Sequence, residues 1–348
     1  MIAAGGTGGH VFPGLAVADY LRAAGWRVVW LGADTGMEAA LVAKRGYDMA
    51  SVKFSGVRGK GPLAILLLPL NLILAFWQSA GAILAKRPDV VLGMGGYMSV
   101  PGGMMAALLG RPLVIHEQNS VAGLANRVLA GVADRVLCAF PNVFKRATQT
   151  GNPVRPEIAA IAAPERRFAG RSGPLRLLIV GGSLGAKALN EIVPRALALL
   201  HGPAWPIVTH QSGAQHADSL KRAYAQAGVR ANTPPFIEDV AAAYSEADLV
   251  VCRAGATTVA ELAVAGVPSI LVPYPHAVDD HQTRNARFLA DAGAAVLAPQ
   301  RELTAERLAE LISGFDRKRL LDMAVRARAL GRPGATEAVA RTCMELAQ

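Results

Sequence analysis

Ten residues into the chain, the stretch GGTGGH sets Gly5, Gly6, Thr7, Gly8 and Gly9 ahead of His10. The glycines admit positive φ and let another molecule reach backbone N–H groups with no Cβ in the way, which suits a phosphate. Pro13 is tolerated in a first helical turn, and Leu15, Val17, Ala18 and Leu21 recur at helical spacing, so His10 is expected near a helix start. Partial positive charge gathers at that end. It disfavours a further positive charge on the imidazole and so favours a neutral ring able to take a proton. A tight strand-to-helix turn carrying a surface histidine reads the same way.

Two more glycine loops follow runs of strand character: GMGGYMSVPGG from Gly93 to Gly103, and GGSLG from Gly181 to Gly185 with Ser183 as a hydroxyl donor. Together they predict phosphates in both halves of the chain. GGTGGH and GGSLGA have adjacent leading glycines and lack the dinucleotide spacing, which disfavours a nicotinamide enzyme. Lys187 lacks the context of a Walker-type loop.

CRAGATTVAEL, residues 252–262, ends a strand at Arg253 and Gly255 and offers N–H and hydroxyl donors at Ala256, Thr257 and Thr258. A diphosphate fits such donors. Glu261, three residues on, could accept bonds from ribose hydroxyls. Thr258 with Glu261 also has the spacing of a capping box. HEQN supplies His116, Glu117, Gln118 and Asn119, and HAVDDHQTRNA supplies His276, Asp279, Asp280, His281, Gln282 and Asn285. Amides such as Asn119 and Gln282 can read sugar hydroxyls, having both donor and acceptor. The two histidines and two aspartates could suggest a metal. No second cluster completes a ligand set and there is no Asp-x-Asp, so solvated polar loops are favoured and no metal is expected. A nucleophile elbow is missing as well.

Such loops need rigid elements behind them. WRVVWLGA, RPDVVLGMGGY, RPLVIHEQN and ADRVLCAF are short β-branched runs ending in loops, with helical stretches between. After Gly151–Pro174, a Pro-, Gly- and Arg-rich stretch read as a linker, LRLLIVGGSLG restarts the pattern. WPIVTHQSG, VRANTPPFI, ADLVVCRAG and VPSILVPYP continue it, and Leu320–Ala347 reads as helix. The expectation is α/β: two doubly wound, Rossmann-like halves with ligands at the carboxyl ends of the strands and a cleft shared between them. Only Met1–Ala4 precede the first loop, without a secretory leader, so the first strand is unusually short or starts upstream.

Residues 61–89 are apolar enough to span a bilayer by length, but Pro69, Asn71, Gln78 and Ser79 interrupt them. One or two partly exposed helices are expected, with Phe76 and Trp77 at an interface and Lys53, Arg58, Lys60, Lys86 and Arg87 at the ends. A core helix is the plainer alternative. The chain has 348 residues and a net charge of +10, and residues 1–150 hold 14 Lys and Arg against 7 Asp and Glu. With aromatics at 5% and no nucleic-acid motif, an anionic membrane or phosphorylated ligand explains the surplus better than nucleic acid. Cys138, Cys252 and Cys343 match no disulfide or metal spacing and fit a reducing compartment.

Taken together, GGTGGHVFPGLAVA, VLGMGGYMSVPGG, HEQN, GNPVR, VGGSLGA and RAGATTVAE resemble the MurG family of glycosyltransferases, in order and over nearly the whole chain. The resemblance implies a two-domain GT-B fold. Residues 1–155, joined by a C-terminal helix at about 333–348, would be the acceptor and membrane-associating domain, and 156–332 would bind UDP-N-acetylglucosamine. It implies inverting transfer of N-acetylglucosamine to the 4-hydroxyl of undecaprenyl-diphospho-muramyl-pentapeptide, without a cofactor, at the cytoplasmic face of the bacterial inner membrane. The implied partners are the two substrates, an anionic membrane surface and other cell-wall synthesis proteins. Thr7, Gly8 and Gly9 match the family's first glycine loop, Asn119 its amide on the sugar, Arg155 the arginine of GNPVR, and Ser183 the serine of the third glycine loop. Ile237 matches the residue whose backbone reads uracil. Ala256, Thr257, Thr258, Val259, Ala260 and Glu261 match the diphosphate and ribose segment, and Gln282 the glutamine on the sugar. Thr257, Ala260 and one extra residue in HAVDDHQ depart from common members. His10 becomes the candidate base for the muramyl 4-hydroxyl. An epimerase acting on the same UDP-sugar and a non-catalytic UDP-sugar-binding protein remain as alternatives.

Overall fold

Strands that are buried on both faces read as unbroken apolar runs, and such runs build two parallel sheets here. The structure is a computed structural model that describes residues 1–35, 37–54, 66–182, 184–200 and 205–347. By its internal contacts the chain divides into one unit of Met1–Arg155 with Pro333–Gln348 and a second of Pro156–Arg332.

The first sheet contains β1 (Ile2–Ala3), β2 (Val29–Gly32), β3 (Asp48–Ser51), β4 (Val91–Gly93), β5 (Leu113–Glu117), β6 (Arg135–Cys138) and β7 (Thr148–Gln149). Its order is β3-β2-β1-β4-β5-β6-β7, with every pairing parallel. β1 is two residues long, yet it is held on both sides: Ile2 is in register with Trp30 and Leu92. Trp30 is fully buried and its indole N–H donates to the Ala4 carbonyl at 3.0 Å, which fixes the chain as it leaves β1. A Cβ on Gly14 would come within 2.8 Å of the same indole, so the first helix can cross the sheet closely only with glycine there.

The second sheet contains β8 (Arg176–Val180), β9 (Ile207–Gln211), β10 (Leu249–Cys252), β11 (Ser269–Leu271) and β12 (Ala295–Leu297), in the order β12-β11-β10-β8-β9, again all parallel. Strand order reverses between β1 and β4 in the first sheet and between β8 and β10 in the second. In doubly wound sheets ligands bind in the crevice beyond the carboxyl ends at that reversal.

Two readings of the sequence change, and a third, the helical C-terminal stretch, gains detail. VRANTPPFI is not a strand: it runs beside β9 with a single parallel bridge, Thr209 to Asn232. Pro234 and Pro235 accept from Ser212 and Gly213 N–H, at 3.1 Å each, but have no N–H to return, so the ladder stops. Gly151–Pro174 is not a free linker. It holds short helices at Pro156–Ala159 and Pro164–Phe168, and the buried Arg167 donates to the carbonyls of Ala162, Tyr244, Ala265 and Gly266. The C-terminal helical stretch is two helices, Arg317–Leu330 on the second unit and Ala335–Leu346 on the first, broken at the Gly331–Gly334 turn. β3, β7 and β12, short or half-exposed, carried no readable pattern.

The apolar stretch forms a helix, Leu68–Lys86, that buries only the small stripe Ala75, Ser79 and Ile83. Phe76 is half-buried; Leu70, Ile73, Trp77 and Leu84 are exposed, Trp77 by 79%. Arg58 and Lys60 lie outside the described residues. Cys138, Cys252 and Cys343 are free and buried, and burial pushes the Cys138 thiol up to about 11.

Candidate active site

In the first unit the carboxyl ends of β1, β4 and β5 bring together the glycine loops and HEQN. Thr7 has extended backbone (φ −132°, ψ 156°) and precedes the helix Gly8–Ala23. Its hydroxyl makes no capping bond, and the first turn holds no acidic residue. The first intrahelical bonds run from His10 and Val11 N–H to the Thr7 carbonyl, at 3.0 and 3.2 Å. Gly8 and Gly9 N–H therefore stand ahead of the ladder, at the positive end of the helix dipole.

The second loop packs onto the first backbone to backbone. Gly95 and Gly96 have φ of 91° and 81°, and a Cβ on Gly96 would collide with the Gly5 carbonyl oxygen. Ser99 Oγ holds the turn by donating to the carbonyls of Gly95, at 2.6 Å, and Ala3, at 3.2 Å. A Cβ on Gly95 would lie 2.9 Å from His10 Nδ1, so glycine leaves room for the ring. Glu38, 2% exposed, faces the loop from the neighbouring helix, with Oε1 3.4 Å from Gly6 N and from the Tyr97 hydroxyl. Burial, with Glu38 beside it, raises the Tyr97 phenol. Sequence reasoning missed Glu38, which carries no motif.

His10 Nδ1 lies 2.7 Å from Gln118 Oε1. Gln118 Nε2 in turn reaches His116 Nδ1 at 3.1 Å and donates to the His116 carbonyl at 3.0 Å. His116 is fully buried, its Nε2 is 2.9 Å from the Gly151 carbonyl, and burial lowers it to about 4. Glu117 is 1% exposed: Oε1 accepts from Asn119 N–H at 2.9 Å and from its amide at 3.3 Å, while Oε2 accepts from Gly123 N–H and the Asn126 amide. Thus Glu117 and Gln118 do not stand out in solvent; they hold Asn119 and His10 in place. Arg155 is half-buried at the end of GNPVR.

In the second unit a cavity of about 650 Å³ lies beyond β8, β10 and β11, with Gly182, Arg253, Gly255, Thr258, Tyr274 and Gln282 among its walls. Gly185 has φ 76°, and a Cβ there would strike the Ser212 carbonyl, so the GGSLG turn requires glycine where it meets the loop after β9. Ser183 lies outside the described residues. The helix Ala256–Ala265 starts at Gly255, with extended backbone, no side-chain cap and no acidic residue in its first turn. Thr258 sits inside the helix, so the Thr258–Glu261 capping box does not form. Val259 N–H already bonds the Gly255 carbonyl at 2.9 Å. The amides ahead of the ladder belong to Ala256, Thr257 and Thr258, whereas Val259 is fully buried and Ala260 half-buried. Glu261 is 6% exposed. Thr257 Oγ1 is buried and bonds no described residue.

Arg253, unassigned by the sequence, braces this wall: it donates to the Val272 and Pro273 carbonyls and to Gln300 Oε1, at 3.1, 3.2 and 2.6 Å, and lies over the Tyr274 ring. Gln282 Oε1 accepts from Tyr274 N–H at 2.9 Å, leaving donor chemistry on its Nε2. Ile237 is half-buried in the loop before Asp239, whose carboxylate caps the next helix through Ala242 N–H. The candidate residues fall into two groups, Thr7, Gly8, Gly9, His10, Asn119 and Arg155 in the first unit and Ile237, Ala256–Glu261 and Gln282 in the second. Among the described residues no three His, Cys, Asp or Glu converge as metal ligands would.

Two family models match: the glycosyltransferase family 28 N-terminal domain over residues 1–138, and its C-terminal domain over 176–339. The UDP-N-acetylglucosamine--N-acetylmuramyl-(pentapeptide) pyrophosphoryl-undecaprenol N-acetylglucosamine transferase of Aromatoleum aromaticum is 65% identical, with 100% of this chain and 97% of that protein covered. The protein of the same name from Cupriavidus metallidurans is 62% identical, with 100% and 98% covered. The crystal structure of Acinetobacter baumannii MurG superposes with a TM-score of 0.87 at 44% identity, covering 99% of this chain and 98% of that one. The calicheamicin glycosyltransferase CalG4, at 16% identity and a TM-score of 0.67, shares the fold.

Proposed function

Since the chain belongs to glycosyltransferase family 28, among its MurG members, we infer that it transfers N-acetylglucosamine from UDP-N-acetylglucosamine to the 4-hydroxyl of undecaprenyl-diphospho-N-acetylmuramoyl-pentapeptide. It is a hexosyltransferase of peptidoglycan synthesis with a GT-B fold.

One observation carries the chemical side of this reading. Each unit ends its sheet, at the reversal of strand order, in a helix N-terminus with no side-chain cap and no acidic residue in its first turn. Both substrates are diphosphates, and a helix start of this kind is an anion site. On this reading Gly8 and Gly9 N–H face the acceptor diphosphate, while the amides of Ala256–Thr258 neutralise the diphosphate of the departing UDP. Ser183, Ile237, Glu261 and Gln282 complete the donor site, with Glu261 on the ribose, the Ile237 backbone on the uracil and Gln282 on the sugar. Asn119 is the family's amide on the sugar, and Arg155, the arginine of GNPVR, is a further substrate-binding residue of the first unit. His10 takes the proton from the muramyl 4-hydroxyl as that oxygen attacks the anomeric carbon from the face opposite UDP. A positioned base of this kind is worth roughly 100- to 10,000-fold.

Residues 1–155 with the last helix then serve the acceptor, and 156–332 the donor. We place the enzyme peripherally on the cytoplasmic face of the inner membrane, docked through the exposed Leu70, Ile73, Trp77 and Leu84 with Lys86 and Arg87 at the helix end. In that position it serves cell-wall growth, and through it cell shape and division, alongside other cell-wall synthesis proteins. The deciding experiment is transfer of radiolabelled N-acetylglucosamine from its UDP donor to a short-chain lipid-linked muramyl-pentapeptide. Lipid-linked disaccharide is the expected product. Altered UDP-sugar with donor alone would point to an epimerase, and binding without turnover to a scaffold.

A further inference from the structure

Two backbone carbonyls dictate the direction of every hydrogen bond in the chain that runs from Gly151 to His10. A carbonyl oxygen only accepts. His116 Nε2, 2.9 Å from the Gly151 carbonyl, must therefore carry a proton. The ring is fully buried and burial holds it neutral, lowered to about 4, so its Nδ1 is a bare acceptor. Gln118 Nε2 fills that acceptor at 3.1 Å, and it also donates to the His116 carbonyl at 3.0 Å. This second carbonyl independently sets the orientation of the amide, since the flipped form would put two acceptors face to face. Gln118 Oε1 is left toward His10 Nδ1 at 2.7 Å. An amide oxygen cannot donate, so Nδ1 must.

We propose that Gln118 is a positioning residue that holds the His10 proton on Nδ1 and thereby puts the lone pair on Nε2, with His116 and the Gly151 carbonyl fixing the polarity of Gln118. The proposal rests on the reading of His10 as the base. Which ring nitrogen of a histidine carries the proton is set by the bond the other one makes. Free neutral imidazole side chains in water prefer the opposite tautomer, with the proton on Nε2, so the contact with Gln118 supplies what the ring lacks by itself. The amide is neutral, unlike a carboxylate partner, and it selects the tautomer without adding a charge beside an anionic substrate. Gly95 serves the same contact, because any Cβ there would press on Nδ1 at 2.9 Å.

The test reads the tautomer directly, by long-range ¹H–¹⁵N correlation of ¹⁵N-histidine-labelled full-length protein, with His10→Ala to assign the signal. In the unmodified protein the expected result is a protonated Nδ1 and an unprotonated Nε2 on His10. In Gln118→Met, which keeps the length of the side chain and removes its three bonds, to His10, to the His116 ring and to the His116 carbonyl, the His10 signals should move toward the tautomer average of a free imidazole. There kcat should fall on the order of 10- to 100-fold, with KM for both substrates within about 2-fold. A His10 lone pair on Nδ1 in the unmodified protein overturns the proposal without recourse to any variant. So does a Gln118→Met protein whose His10 tautomer is unchanged. A tautomer that shifts while kcat holds would overturn His10 as base, and the catalytic part of the proposal with it, which separates the two failures.

Discussion

His10 and the residues behind it are where the chemistry is most sharply exposed to test. Replacing His10 by Ala should lower kcat on the order of 100- to 10,000-fold with little change in donor affinity, and steady-state transfer kinetics would measure it. Near-normal turnover would remove it as base. Two other histidines speak to stability. His116 and His210 are buried and lowered by burial, to about 4 and about 3, from an ordinary value of 6.5. The unfolded chain takes up their protons first. Their neutral burial thus stabilises the fold fully above about pH 6.5, and that stability drains away as pH falls toward 4, at about 1.4 kcal/mol per pH unit for each. His210 Nδ1 meets the Tyr224 hydroxyl at 2.9 Å, and its Nε2 is buried without a partner among the described residues. Denaturant titrations of His210→Phe between pH 7 and pH 4 should therefore show a shallower acid loss than the parent. An unchanged slope would show that this histidine does not govern it.

At the scale of elements, the two glycine loops of the first unit behave as one object. Gly96→Ala demands both a positive φ from an L side chain, at 81°, and space that the Gly5 carbonyl already fills. Strain of that kind costs about 1–3 kcal/mol before any displacement of the loop. The expected outcome is a lowered Tm together with loss of transfer, since the Gly8 and Gly9 amides move with Gly5. The Leu68–Lys86 helix makes the opposite prediction. Ile73 and Trp77 are 64% and 79% exposed, so changing both to Ser should leave Tm nearly unchanged. Binding to anionic vesicles in sedimentation assays should weaken at least about 10-fold, from about 1.5–3 kcal/mol per apolar side chain withdrawn from lipid. Reversing the charge of Lys60, Lys86 and Arg87 should weaken it further and make it less salt-sensitive. Vesicle binding that survives both sets of changes would exclude this helix as the docking element.

For the whole molecule, the two units carry separate cores: Trp30, Leu15 and Met94 with the last helix in one, and Ile179, Val251 and Leu320 in the other. A donor site as proposed exists only in the folded chain, so UDP at 100 times its Kd should stabilise by about 2.7 kcal/mol and raise Tm accordingly. Hydrogen exchange should then slow at the amides of Gly182–Ala186 and Ala256–Thr258. Protection confined to the loop Gly5–Gly9 instead would reverse the assignment of donor and acceptor between the units.

The sequence by itself determined the α/β class, the restart of the pattern in a second half, and the positions of the loops. Period, glycine clusters and strand-to-loop order are local properties, written in consecutive residues. The placement of His10 and the Ala256–Thr258 segment at helix starts, and of Asn119 just past a buried strand, was legible for that reason. What only the tertiary structure decided depends on residues distant in the chain. The order of strands, and so the place where each sheet reverses, follows from which strand pairs with which. VRANTPPFI looked like a strand because apolar content does not report the missing N–H groups of Pro234 and Pro235. The Gly151–Pro174 stretch looked free because composition does not show that Arg167 finds carbonyls nearly 100 residues away. The polarity of the bonds behind His10 was invisible for the same reason. It is imposed by the His116 and Gly151 carbonyls, and Gly151 meets HEQN only when β5, β6 and β7 are folded into one sheet.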